Sequence, residues 1–226
     1  MVAMSITVHH LENSRSQRVL WLLEEIGAPY EIKAYARDPR TKLAPPELKA
    51  VHPLGKSPVV VADGHTLAET GAIIGYLIDT RANGRLRPAA GTEARLRYDY
   101  WLHYAEGSAM PPLLLKLVFQ TLPRRAPGFL RPLVRRIAAT AQAGFVDPQL
   151  VLHMNYWEDT LNGAPWFAGE DFTAADIMMS FPVEAAAARA SALTGRPKLG
   201  AFLERLHARP AYRRALERGG PYQLLN

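Results

Sequence analysis

The chain is most constrained at Val51 to Thr70, VHPLGKSPVVVADGHTLAET, where the backbone has few alternatives at three successive points. Pro58 is excluded from a helix interior and pushes Ser57 toward extended backbone. It leads into Val59-Val60-Val61, a β-branched run that favours a strand. Asp63-Gly64 is the two-residue sequence of a type I′ turn, which makes that run one arm of a hairpin and His65-Thr66-Leu67 the return arm. Glu69-Thr70 then precedes Ala72, Ile73, Tyr76 and Leu77 at helical spacing, with Thr70 predicted as N-cap. A loop, a hairpin and a helix start converge here, so the stretch reads as a cradle for a ligand with a helix N-terminus facing it.

Upstream, Ser5-Ile6-Thr7-Val8-His9-His10 alternates as a strand, and Val19, Leu20, Leu22, Leu23 and Ile26 share a helical face that stops at Gly27. Tyr30, Ile32 and Ala34 alternate with charges as a second strand, and Pro45 to Lys49 suggests a helical turn. The predicted order is strand, helix, strand, helix, strand, strand, helix. That order fits a small α/β unit with a mixed four-stranded sheet, as in thioredoxin-like folds, over residues 4–82. Thr80 to Gly91 is rich in turn residues and serves as the linker.

Beyond it the strand signal fades, and residues 92–226 are predicted to be an all-helical bundle. Helices are expected from Glu93 to Val118, with a break or kink at Pro111-Pro112, and over Val146–Leu161 and Thr173–Ala192. Gln120 to Arg136 holds Pro123, Pro127 and Pro132 among five arginines and is expected to be a loop with short helical pieces. Phe172-Thr173-Ala174-Ala175-Asp176-Ile177 reads as a capping box, Thr173 to Asp176, inside a hydrophobic staple, Phe172 to Ile177. Its role is taken as structural.

The hydrophobic content of 48% and charged content of 21% are those of an ordinary folded protein. Lys and Arg outnumber Asp and Glu by 27 to 21, for a net charge of +6. The excess lacks the aromatic-interleaved or recognition-helix pattern of a nucleic-acid binder, so an anionic small ligand or an acidic surface is the expected partner. There is no cysteine, which excludes disulfides, thiolate metal sites and a cysteine nucleophile. Any sulfur chemistry belongs to the substrate. None of the seven histidines falls in a metal-ligand spacing, so no metal is expected. No run approaches the ~18 apolar residues of a membrane span, and a cytoplasmic protein is the default.

Three motifs at these spacings resemble the cytosolic-type glutathione S-transferases, and the resemblance covers nearly the whole chain. HPLGKSPVVV is similar to that family's Asn-Pro-x-x-x-Val-Pro loop with its cis-proline; LAETGAIIGYL to the acidic residue and Ser/Thr that open the third helix; FTAADIMMS to the second-domain capping box. HHLENSRSQRVLWLLEE resembles bacterial and fungal members with serine or cysteine at the catalytic position. The chain departs from the pattern at Ser57, where an apolar residue is usual, at His52, where Asn is commoner, and in the Gln120–Arg136 segment.

The resemblance implies a homodimeric enzyme with glutathione as co-substrate, adding its thiolate to a small apolar electrophile. Glu69 would pair with the tripeptide's α-ammonium, Thr70 and the helix amides with its γ-glutamyl carboxylate, Ser57 beside cis-Pro58 with the cysteinyl backbone, and Lys56 with the glycyl carboxylate. Ser14, four residues before Arg18, stands at the catalytic position. A second reading makes Ser14 only the cap of an S-x-x-Q box with Gln17, and Asn13, Ser16 or backbone amides are alternative donors, with Arg15 adding positive potential. The electrophile would lie between the domains near Tyr100, Tyr104 and Phe119, although such a stripe is commonly core. A specialised isomerase, dehalogenase or peroxidase of the same fold, or a non-catalytic glutathione-binding module, are the rival functions.

Overall fold

The computed structural model describes residues 5–220 and Tyr222, so the predicted domain ends at 4 and 226 lie outside the described residues. The first half runs β1 (Ile6–Leu11), α1 (Ser16–Ile26), β2 (Glu31–Tyr35), α2 (Glu47–Val51), β3 (Val59–Ala62), β4 (His65–Ala68) and α3 (Thr70–Arg81). The sheet order is β2-β1-β3-β4. β1 and β2 are parallel, joined by the α1 crossover, and the β1–β3 and β3–β4 pairs are antiparallel. This is the mixed sheet of a thioredoxin-like unit. Asp63 and Gly64 both have positive φ, 52° and 79°, as a type I′ turn demands.

Because side chains alternate across a strand, the two adjacent histidines of β1 face opposite sides. Ile6 and Val8 pack with Val19 and Leu23 of α1 in the main core, and His10 shares their face. His9 and Leu11 turn the other way, toward Tyr35 and Leu48. α1 is wrapped on all sides, with Val19, Leu20, Leu22 and Leu23 fully buried. It stops where Gly27 adopts left-handed backbone (φ 70°) and donates its N–H to the Leu23 carbonyl.

The second half is helical: α4 (Glu93–Tyr104), α5 (Met110–Arg125), α6 (Arg131–Ala141), α7 (Asp147–Gly163), α8 (Ala174–Arg189), α9 (Pro197–Ala208) and α10 (Pro210–Gly219). Gln120–Arg136 is not the expected loop, for α5 runs through to Arg125 and α6 begins at Arg131. The prolines explain why. Pro132 sits in the first turn of α6, where no N–H is needed, and Pro123 lies in the last turn of α5. Pro111 and Pro112 do not break the path from α4 into α5 either. A π turn at Ala105–Ala109 precedes them, and they stand in the first turn of α5, where a missing N–H costs least.

α8 is the buried axis of the bundle. Its capping box is formed: Thr173 Oγ1 accepts from the Ala175 N–H, and Asp176 accepts from the Thr173 N–H at 2.8 Å. Asp176 also accepts from the Phe167 N–H at 2.8 Å, so one buried carboxylate ties the preceding loop to the helix. Among the described residues no helix is long and apolar enough to cross a membrane.

Candidate active site

A cleft of about 220 Å³ opens where the hairpin, the start of α3 and the π turn after α4 meet. Lys56, Ser57, Pro58, Glu69 and Thr70 all line it, and Arg15 and Glu106 close the far side. The five residues singled out around the loop and helix start are therefore brought together. The Ser57–Pro58 peptide is cis. Ser57 uses its hydroxyl as a brace for β1, donating to the His9 carbonyl at 2.9 Å and accepting from the Leu11 N–H at 3.2 Å. That polar brace accounts for a serine where an apolar residue is the family's habit.

Thr70 is not the N-cap that the sequence suggests. α3 starts at Thr70, and Glu69 occupies the cap position with φ 67° and ψ 119° and no side-chain cap bond. Such backbone costs a non-glycine residue of order 1–3 kcal/mol and commonly marks a functional site. It has a consequence for the cleft. With no side chain over the helix end, the first-turn amides of α3 lack a capping partner at a point that favours an anion. The Glu69 carboxylate is exposed beside them, and the Thr70 side chain is buried.

Ser14 does not line this cleft; it stands behind Ser57, which does. It is 6% exposed, with its hydroxyl 3.5 Å from that of Ser57 and 2.7 Å from that of Ser16. The S-x-x-Q capping box is absent, because α1 begins at Ser16 and carries no side-chain cap bond. The first amides of α1 are occupied all the same: Ser16 N–H by Ser14 Oγ, Gln17 N–H by the Ser14 carbonyl and Arg18 N–H by the Arg15 carbonyl. Arg15 does not present free positive charge either, since its Nε bonds both oxygens of Glu106 at 2.9 and 3.0 Å.

Arg18 is an organising residue of the site. It is 1% exposed and pairs with Glu106. Its Nη1 donates to the Met178 carbonyl at 2.9 Å, and its Nη2 reaches Thr70 Oγ1 at 3.4 Å. The Met178 carbonyl needs that donor because Pro182, four residues on within α8, has no N–H to give. Burial raises the Glu106 carboxyl, but the Arg18 and Arg15 guanidiniums beside it outweigh burial and hold it below the ordinary carboxylate range. The signal for Arg18 was an arginine next to the apolar run VLWLL; Glu106 left no signal in the sequence.

Of the aromatic stripe only Tyr104 is core; Phe119 is half-buried and Tyr100 exposed. Tyr104 is buried, its hydroxyl bonded to His153 and accepting from Trp157 Nε1 at 3.1 Å. Tyr100 stacks on Tyr104, Phe119 packs against the same core, and none of the three lines the cleft. No group of three or more His, Cys, Asp or Glu arranged to hold a metal occurs among the described residues.

Fold and site together define a two-domain class, a thioredoxin-like unit coupled through its first helix to a helical bundle. Known proteins narrow it. The model of the glutathione S-transferase N-terminal domain matches residues 4–79, and that of the C-terminal domain matches residues 134–217. Glutathione S-transferase 3 of Schizosaccharomyces pombe is 40% identical over 183 residues, 80% of this chain and 74% of that one. Glutathione S-transferase 1 of Saccharomyces cerevisiae is 30% identical over 224 residues, 94% of each. A solved glutathione S-transferase from Actinobacillus pleuropneumoniae superposes with a TM-score of 0.81 at 33% identity, covering 97% of this chain and 94% of that one. The chain belongs to the glutathione S-transferase family, and it is an enzyme of that family.

Proposed function

We propose that the cleft binds glutathione and that Ser14 stabilises its ionised thiol for conjugation to a small apolar electrophile. The observation that carries this is the placing of three charge-selective elements around one cleft: the exposed Glu69 carboxylate, the uncapped N-terminus of α3 at Thr70, and the exposed Lys56. They match the α-ammonium, the γ-glutamyl carboxylate and the glycyl carboxylate of the tripeptide. Ser57, before the cis peptide, offers its backbone to the cysteinyl unit as an added strand would.

Lowering a thiol pKa by two units takes about 2.7 kcal/mol of selective thiolate stabilisation. The occupied amides of α1 and the Glu106-bound Arg15 leave the Ser14 hydroxyl as the donor best placed for it. A homodimer, a cytoplasmic setting and freedom from any metal complete the proposal. The dimer is supported by Leu54, Leu96 and Tyr100, apolar and exposed at 63, 71 and 47%, and equilibrium sedimentation tests it.

Calorimetric titration with glutathione tests the binding half. Glu69→Ala and Thr70→Ala should each weaken binding about tenfold or more, the loss of one charge-assisted hydrogen bond of ~1.5–3 kcal/mol. Ser14→Ala should keep the affinity while lowering kcat with a chlorinated aromatic electrophile. Absence of glutathione binding by the unaltered protein would end the proposal.

A further inference from the structure

Ser14 is the first member of a hydrogen-bonded chain that runs inward from the cleft. Ser14 Oγ lies 2.7 Å from Ser16 Oγ, Ser16 Oγ 2.8 Å from His10 Nδ1, and His10 Nε2 2.9 Å from the Gly219 carbonyl. Ser16 is fully buried, and His10 is 5% exposed. The chain has a polarity fixed at its far end. A carbonyl only accepts, so Nε2 carries a proton, which leaves Nδ1 of the neutral ring bare. Nδ1 accepts from the Ser16 hydroxyl. Ser16, its one hydrogen so used, accepts from Ser14. The longer contacts of Ser16 with the Leu11 carbonyl (3.4 Å) and of Ser14 with Ser57 (3.5 Å) are the weaker alternatives. At rest, then, Ser14 offers lone pairs outward and has no hydrogen for a thiolate.

We propose that His10 is the proton acceptor for the bound thiol, reached through Ser14 and Ser16; this rests on the reading of Ser14 given above. The thiol S–H donates to Ser14 Oγ, the Ser14 proton passes to Ser16 Oγ, and the Ser16 proton passes to His10 Nδ1. One S–H bond breaks, one N–H bond forms, and both hydroxyls reverse. The product is a thiolate facing a Ser14 hydroxyl that now donates to it, with an imidazolium at the buried end whose Nε2–H still holds the Gly219 carbonyl. Ser14 touches the reacting sulfur, whereas Ser16 and His10 act through it as positioning residues.

The surroundings of the ring suit an acceptor. α1 presents Ser16 and Gln17 on this side, β2 pairs Ala34 with His10, and α10 presents the Gly219 backbone, none of them titratable. Of the charged side chains of these helices, Arg18 is engaged with Glu106, Arg214 and Arg218 with Glu24, and Arg213 with the His207 carbonyl, while Glu217 is exposed. Burial lowers the His10 pKa, which leaves Nδ1 unprotonated at rest, and the Gly219 carbonyl on Nε2 offsets part of the cost of charging the ring. The close fit is built in. A Cβ at Gly219 would lie 2.7 Å from Leu20 Cδ1, 2.8 Å from Gln17 Oε1 and 3.4 Å from His10 Cε1, so any larger residue here would have to displace these side chains.

Ser16→Ala cuts the chain and leaves Ser14 and His10 in place. The inference predicts unchanged glutathione affinity, a bound-thiol pKa higher by about one unit, and kcat down about fivefold at pH 6.5 but recovering to the unaltered plateau in alkali. Ser16→Thr, which restores a hydroxyl, should restore the profile, and His10→Gln should copy Ser16→Ala. A Ser16→Ala profile superimposable on the unaltered one overturns the inference, as does a loss of kcat uniform across pH, the mark of a merely structural role. Ser14→Ala separates the two levels. If it alone shifts the thiol pKa, the relay fails and the role of Ser14 stands; if it too is silent, the role of Ser14 fails first.

Discussion

Glu106 holds two guanidiniums at once, and one of them, on Arg18, has no other anion and almost no solvent. Removing one partner of such a pair leaves a charge buried without compensation, which costs about 3 kcal/mol. Glu106→Gln should therefore lower the denaturant midpoint at pH 7 clearly. The pH dependence follows from the sign of the shift. A carboxyl held below its unfolded value contributes stability that is fully present above the ordinary carboxylate range and is lost as pH falls through the lowered folded value. The unaltered protein should lose this part of its stability on acidification, and Glu106→Gln should show a flatter acid limb in denaturant titrations. Equal stability of the two at pH 7 would contradict the pairing. Residues of this kind explain what the sequence could and could not disclose. Lys56, Ser57, Pro58, Glu69 and Thr70 are legible because a hairpin returns the chain to where it began within fifteen positions. Arg18 and Glu106 stand 88 positions apart and His10 and Gly219 stand 209 apart, so no local pattern joins them.

Helices differ in how far local signals decide them. Thr173 to Asp176 was readable because a capping box is a contact within four residues. Its second function, Asp176 accepting from the Phe167 N–H, depends on a loop and was not. Asp176→Ala would strand the Phe167 and Thr173 amides in the core, at ~1–3 kcal/mol for each unsatisfied group. Thermal unfolding should show a drop of several degrees, well beyond that of an ordinary cap deletion of ~1 kcal/mol. A drop no larger than that of Thr173→Ala would show that the loop contact adds nothing. Misreading Gln120–Arg136 has a similar physical source. A proline breaks a helix only in its interior: Pro132 stands in the first turn of α6, where the missing N–H costs little, and Pro123 forfeits one bond only two residues before α5 ends.

In the whole molecule, the C-terminal helix is the clasp between the two halves. Arg209 pairs with Glu25, Arg214 and Arg218 pair with Glu24, and Tyr212 meets Trp21 edge to face, all of them joining α10 or its cap to α1. The same docking seats Gly219 on His10. The thioredoxin-like order and the helical second half were both legible from periodicity, because each depends on local pattern. How α10 lies on α1 is a matter of surfaces far apart in the chain. On the proposal above, a chain with no cysteine, whose Ser14 turn is held from both halves, ionises a thiol that it borrows.

The most direct test of that claim is the ultraviolet absorbance of the thiolate of bound glutathione, followed against pH in the unaltered protein. A free cysteine thiol titrates near ~8.5, and the bound one should be half ionised about two units lower, the equivalent of ~2.7 kcal/mol of thiolate stabilisation. A bound thiol that titrates with the free one would contradict the account.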